Sequence, residues 1–149
     1  MSARAKFWPA VLTMLAALPL PAVALDYLSL AEPAVMYDAP SQKAAPQFVI
    51  ARHTPVEVVV ALESWYKVRD AAGGIAWVEK RQLSPKRTLQ VTAPSAQVRA
   101  KADVNAALVF EAEKDVVLDL LEVADAGWVK VRHRDGQSGF VRANQVWGL

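Results

Sequence analysis

Trp65-Tyr66-Lys67-Val68-Arg69 recurs 63 positions later as Trp128-Val129-Lys130-Val131-Arg132, and reading this phrase decides the fold. Each copy runs into a glycine-containing turn and then an aromatic-valine pair, Trp77-Val78 and Phe140-Val141. The offset holds without a gap from Trp65 to Leu83, which meets Val146. A fixed offset sustained that far marks two copies of one structural unit. Upstream the match continues with shifts: Leu28-Ser29-Leu30 answers Leu89-Gln90-Val91, Phe48 to Pro55 lies over Leu108 to Asp115, and Tyr37 is matched by Ala100. The first copy is three residues longer between Val35 and Val49 than the second between Val98 and Val109, and the second regains three in Ala124-Asp125-Ala126-Gly127. Insertions of that kind belong in loops.

The apolar segments are short and valine-rich: Val56 to Leu62, Trp65 to Arg69, Ala76 to Val78, Val116 to Val123 and Trp128 to Arg132. Gly73-Gly74 and Asp135-Gly136 separate them, the latter a strong hairpin signal. No stretch after the first 24 residues sustains a helical period, so the expected fold is all-β. Units of about 60 residues hold only a marginal core, and closing each sheet into a small β-barrel would protect its edges and increase burial. The expected organisation is residues 1–24 as a signal peptide, 25–85 as the first unit and 86–149 as the second, with the two units touching.

Strand alternation sorts the repeated phrase into two faces. Val129 and Val131 point one way; Trp128, Lys130 and Arg132 point the other. The valines must face the core, because burying Lys130 and Arg132 unpaired would cost several kcal/mol. Trp128 is therefore expected on the outer face, and the same parity places Trp65, Trp77 and Phe140 there. Tryptophan and tyrosine give large, rigid contact area and dominate binding hot spots, so these residues are candidates for a recognition surface. Trp147, which has no partner in the first copy, is expected at the junction between units.

Residues 1–24 have a secretory layout: Arg4 and Lys6, the apolar run Phe7 to Leu20, then Ala22-Val23-Ala24 before Leu25. The run is shorter than the roughly 20 apolar residues that span a bilayer and contains Pro9 and Pro19, so no stable membrane span is expected. The chain's 17 basic residues fall to 15 without Arg4 and Lys6, against 15 acidic ones. A neutral mature chain carries no general footprint for nucleic acid. Without cysteine there is neither a disulfide framework nor a lipidated N-terminal cysteine.

Catalytic chemistry has little to stand on. Ser138, in Gly136-Gln137-Ser138-Gly139, lacks the spacing of a nucleophile elbow. His53 and His133 are the only histidines, each alone among non-ligands, so neither a metal site nor a cofactor is expected. No glycine loop leads into a helix to cradle phosphate.

The phrase Trp-x-Lys-Val-Arg, followed by Asp135-Gly136-Gln137-Ser138-Gly139-Phe140-Val141 and then Asn144 and Val146, resembles the distal hairpin and final strands of a Src-homology 3 (SH3) domain. Val35-Met36-Tyr37-Asp38 resembles that family's opening signature. With the secretory layout and the duplication, the chain is similar to bacterial SH3-like (SH3b) proteins of the cell envelope. The resemblance implies two tandem SH3-like small β-barrels and an aromatic groove mapping onto Tyr37, Trp65 and Trp77 in the first copy, and Trp128 and Phe140 in the second. The groove's proline is Glu79 in one copy and Arg142 in the other, and its last tyrosine is Gln82 or Gln145. Recognition of polyproline helices is therefore not expected. The implied function is non-enzymatic, in a periplasmic or secreted protein: binding a cell-wall peptide, or alternatively an envelope protein for which the module is an adaptor.

Overall fold

A computed structural model describes residues 26–149; the signal-peptide reading of residues 1–24 lies outside them. The described chain forms two seven-stranded antiparallel sheets. The first contains β1 (Tyr27–Leu30), β2 (Ala34–Tyr37), β3 (Pro46–Ile50), β4 (Pro55–Ala61), β5 (Trp65–Arg69), β6 (Ile75–Glu79) and β7 (Leu83–Ser84). The second contains β8 (Thr88–Val91), β9 (Ser95–Arg99), β10 (Leu108–Glu113), β11 (Val117–Val123), β12 (Trp128–Arg132), β13 (Ser138–Arg142) and β14 (Val146–Trp147). Single 3-10 turns, Lys80–Gln82 and Ala143–Gln145, precede β7 and β14.

The strand order is β3-β2-β6-β5-β4-β1-β7 in the first sheet and β10-β9-β13-β12-β11-β8-β14 in the second, the same path twice. Neither sheet closes, which corrects the expectation of barrels. The terminal strands β7 and β14 are two residues long and pair only with β1 and β8, so no ladder returns to β3 or β10. The sheets are nevertheless curled. Register shifts at Met36/Tyr37 and Val58/Val60, and again at Leu108/Phe110 and Leu120/Glu122, bend the strands over their cores.

Each sheet wraps its own core. Met36, Val56, Val68 and Val78 centre the first, and Leu89, Leu118, Val129, Val131 and Val141 the second. The valines of the repeated phrase are buried, as strand parity requires. Turn chemistry makes the hairpins: Gly73 and Gly136 take positive φ values of 89° and 96°, and Asp70 and Asp135 each accept backbone N–H bonds from the residues that follow.

The two units meet across the connector Pro85 to Arg87. Buried Ser29 donates to the Lys86 carbonyl at 2.8 Å, and buried Thr88 donates to the His53 carbonyl at 2.7 Å. Trp147 meets Tyr27 edge to face at 5.2 Å, with the Arg87 guanidinium 5.5 Å from the Tyr27 ring centre. Trp147 thus packs at the junction, as its unmatched position suggested.

Candidate functional site

Tyr37, Trp65 and Trp77 come together on the outer face of the first sheet. Tyr37 pairs with Trp77 across β2 and β6, and Lys67 pairs with Trp77 across β5 and β6, one alternation along from Trp65. The Tyr37 and Trp65 rings meet edge to face at 5.8 Å and 81°. All three rings are partly buried. Glu79 is the cross-strand partner of Trp65, and its carboxylate accepts from Gln42, in the β2–β3 loop, and from Arg81. The Arg81 hydrogen bond, reinforced by Gln42, holds the Glu79 carboxyl below the usual carboxylate range. Beside Trp65 a depression of about 570 Å³ is lined by Glu63, Ser64, Glu79, Lys80 and Arg81. The first unit therefore offers an aromatic wall next to a pocket carrying both charges.

The second unit is built differently at the same place. Trp128, expected on an open outer face, is buried, with 5% of its surface exposed. It does lie opposite the core valines, outside the second unit's core, but the guanidinium of Arg142, its cross-strand partner, sits 4.6 Å from the ring centre. A cation stacks favourably on an indole face, whereas the carboxylate of Glu79 has no such attraction to Trp65. The inserted turn is also anchored here: the Ala124 N–H donates to the Trp128 carbonyl, and the Trp128 N–H to Asp125. Phe140 is partly buried and pairs with Arg99 across β13 and β9. Since Tyr37 pairs with Trp77 in the same manner, the structural counterpart of Tyr37 is Arg99, and the sequence match to Ala100 is one residue out of register. Arg99 is held by the Ala106 carbonyl at 2.9 Å and by Gln97.

The cations of the phrase, expected to face a partner, are engaged within the sheets. Lys67 lies 5.9 Å from the Trp77 ring centre, and Lys130 lies 5.9 Å from that of Phe140. Arg69 pairs with buried Glu57, and Arg132 with Asp119. Sequence reasoning missed these acids, although each stands directly across from its arginine in the ladder. Among the described residues no group of three or more histidine, cysteine or carboxylate side chains could hold a metal ion. His53 and His133, read as isolated, line one cleft between the units.

Comparison with known proteins places this architecture. The family described as the bacterial SH3 domain matches residues 31–85 and, separately, 92–148. No curated protein matches significantly. Among solved structures, NlpC2 from Trichomonas vaginalis aligns at 11% identity and TM-score 0.38, over 83% of this chain and 48% of that one. NlpC1 from the same organism aligns at 13% and 0.39, over 93% and 51%. An NlpC/P60 family protein from Bacillus cereus aligns at 16% and 0.37, over 81% and 55%. The chain spans about half the length of each of these. With both sheets matched by the family and the same strand path followed twice, the chain belongs to the bacterial SH3 domain family, which it carries in two tandem copies.

Proposed function

We propose that the chain is a non-enzymatic, exported binding module of the cell envelope and that its first unit carries the ligand groove. The observation behind this reading is the cluster of Tyr37, Trp65 and Trp77 on one outer face, next to a pocket whose walls hold Glu63 and Glu79 as well as Lys80 and Arg81. A peptide bearing both amino and carboxyl groups, as cell-wall stem peptides do, suits such a site: the rings supply area and the paired charges supply orientation. Phe140 with Arg99 gives the second unit a smaller and more cationic face, and buried Trp128 serves packing.

Retention of residues 25–149 on purified sacculi tests the reading. Trp65→Ala is expected to reduce retention at least tenfold while the circular dichroism spectrum stays unchanged; equal retention of a folded variant would refute wall binding through this groove. The adaptor reading draws on another feature, the edge strand β3, which exposes Phe48 (37%) and Val49 (66%) where a partner strand could add. Crosslinking in intact cells would then recover one dominant envelope protein, and diffuse background would count against it.

A further inference from the structure

A cleft of about 590 Å³ lies between the two units, away from the aromatic groove. Its walls are the turn before β4 in the first unit, and in the second the turn before β11, the end of β12 and the hairpin that follows, with Lys86 contributed by the connector. The volume falls within the range of small-ligand pockets. Two wall residues, His53 and Asp115, adopt left-handed backbone (φ 69° and 71°) that non-glycine residues rarely take, and they occupy equivalent turns in the two units. The His53 turn is fixed on both sides: its N–H donates to the Leu30 carbonyl, and its carbonyl accepts from Thr88. Such positions persist only where the surroundings hold them, and they concentrate at binding sites.

Charge in this cleft is uneven although the chain after residue 24 is neutral. Arg52, Lys86, Arg132 and Arg134 face two carboxylates, Asp115 and Asp119. Both carboxylates are engaged: Asp119 takes Lys86 at 3.0 Å and Arg132 at 3.3 Å, and Asp115 accepts from Gln90 at 3.0 Å. Burial pushes the Asp119 carboxyl upward, but the two cations outweigh it and leave it below its ordinary range, so it remains charged and committed to them. Among the described residues Arg52 and Arg134 make no ion pair, and they come from different units. A guanidinium fork matches the oxygens of a carboxylate or phosphate. We propose that this inter-unit cleft is an oxyanion-binding site, in which Arg52 of the first unit and Arg134 of the second hold a phosphate or carboxylate group of a small ligand. The proposal is independent of the groove reading, because it uses other residues on another face.

His53 and His133 are the only histidines of the chain and both line the cleft, so their imidazole carbon-proton resonances report on it directly. Residues 25–149 would be titrated at low ionic strength with pyrophosphate in one arm and citrate in the other. The expected result is saturable movement of both histidine signals on one isotherm in at least one arm, with the responding arm naming phosphate or carboxylate. The exposed pair Arg52→Gln/Arg134→Gln should weaken that binding at least tenfold, whereas Trp65→Ala leaves the isotherm in place. Non-saturating shifts, unmoved histidines in both arms, or full affinity in the double glutamine variant would overturn the proposal.

Discussion

Replacing Trp128 with alanine is expected to destabilise the second unit by about 3–5 kcal/mol, the range for removing a buried indole. Trp65→Ala, at the matching position of the repeat, should cost about 1–2 kcal/mol, because its partly exposed ring gives up less burial. The difference traces to the cross-strand neighbour and to the inserted turn Ala124 to Gly127 anchored on the Trp128 backbone. Arg142 covers the Trp128 ring at 4.6 Å, and Glu79 in the same place leaves Trp65 to Tyr37. In a unit this small, each kcal/mol moves the melting midpoint by roughly 4–8 °C. Calorimetry should therefore place Trp128→Ala roughly 12–40 °C below the parent protein and Trp65→Ala roughly 4–16 °C below it. Similar midpoints for the two variants would show that Trp128 is not the packed member of the pair.

The arginines of the repeated phrase should be just as unequal. Glu57 is 2% exposed and is held by Arg69, with Nε to Oε2 at 2.7 Å. Removing the partner of a buried carboxylate leaves an uncompensated charge, a loss of about 3–5 kcal/mol when both groups are buried. The Arg69 side chain is 45% exposed and already screened, so Arg69→Met is expected to cost about 2–3 kcal/mol. In the second unit Asp119 is 21% exposed and keeps Lys86 at 3.0 Å after its arginine is lost. Arg132→Met should therefore cost less than about 1 kcal/mol. Urea denaturation of the two variants measures both values, and equal losses would refute the assignment of Glu57 as the more dependent acid. Adding Glu57→Gln to Arg69→Met should restore part of the lost stability, since it removes the stranded charge.

Much of this was legible in the sequence, and the failures have physical causes. The duplicated phrase disclosed two units, and the period of two placed Val68, Val129 and Val131 in the cores. Parity also put Trp65, Trp77 and Phe140 on the faces where they stand, but parity describes one strand and says nothing of what lies across it. Trp128 looked exposed for that reason: its cover comes from Arg142, 14 residues away and opposite it in the ladder. The acids facing Arg69 and Arg132 were hidden in the same way, because bulges at Val58/Val60 and Leu120/Glu122 shift the register that brings Glu57 and Asp119 into line. Barrel closure was inferred from the need to protect edges, whereas the chain limits its last edges by making β7 and β14 only two residues long. His53 and His133 are 80 positions apart, and only the packing of one unit on the other brings them to one cleft.

The proposed division of labour between the two repeats, a ligand groove at Trp65 and a packed indole at Trp128, is tested most directly by the indole N–H resonances of Trp65, Trp77, Trp128 and Trp147. Residues 25–149 would be titrated with a soluble peptidoglycan stem peptide while those four signals are followed. The predicted result is saturable movement of Trp65 and Trp77, with Trp128 and Trp147 in place. Movement of Trp128 while Trp65 stays fixed, or no movement at any of the four, would contradict it.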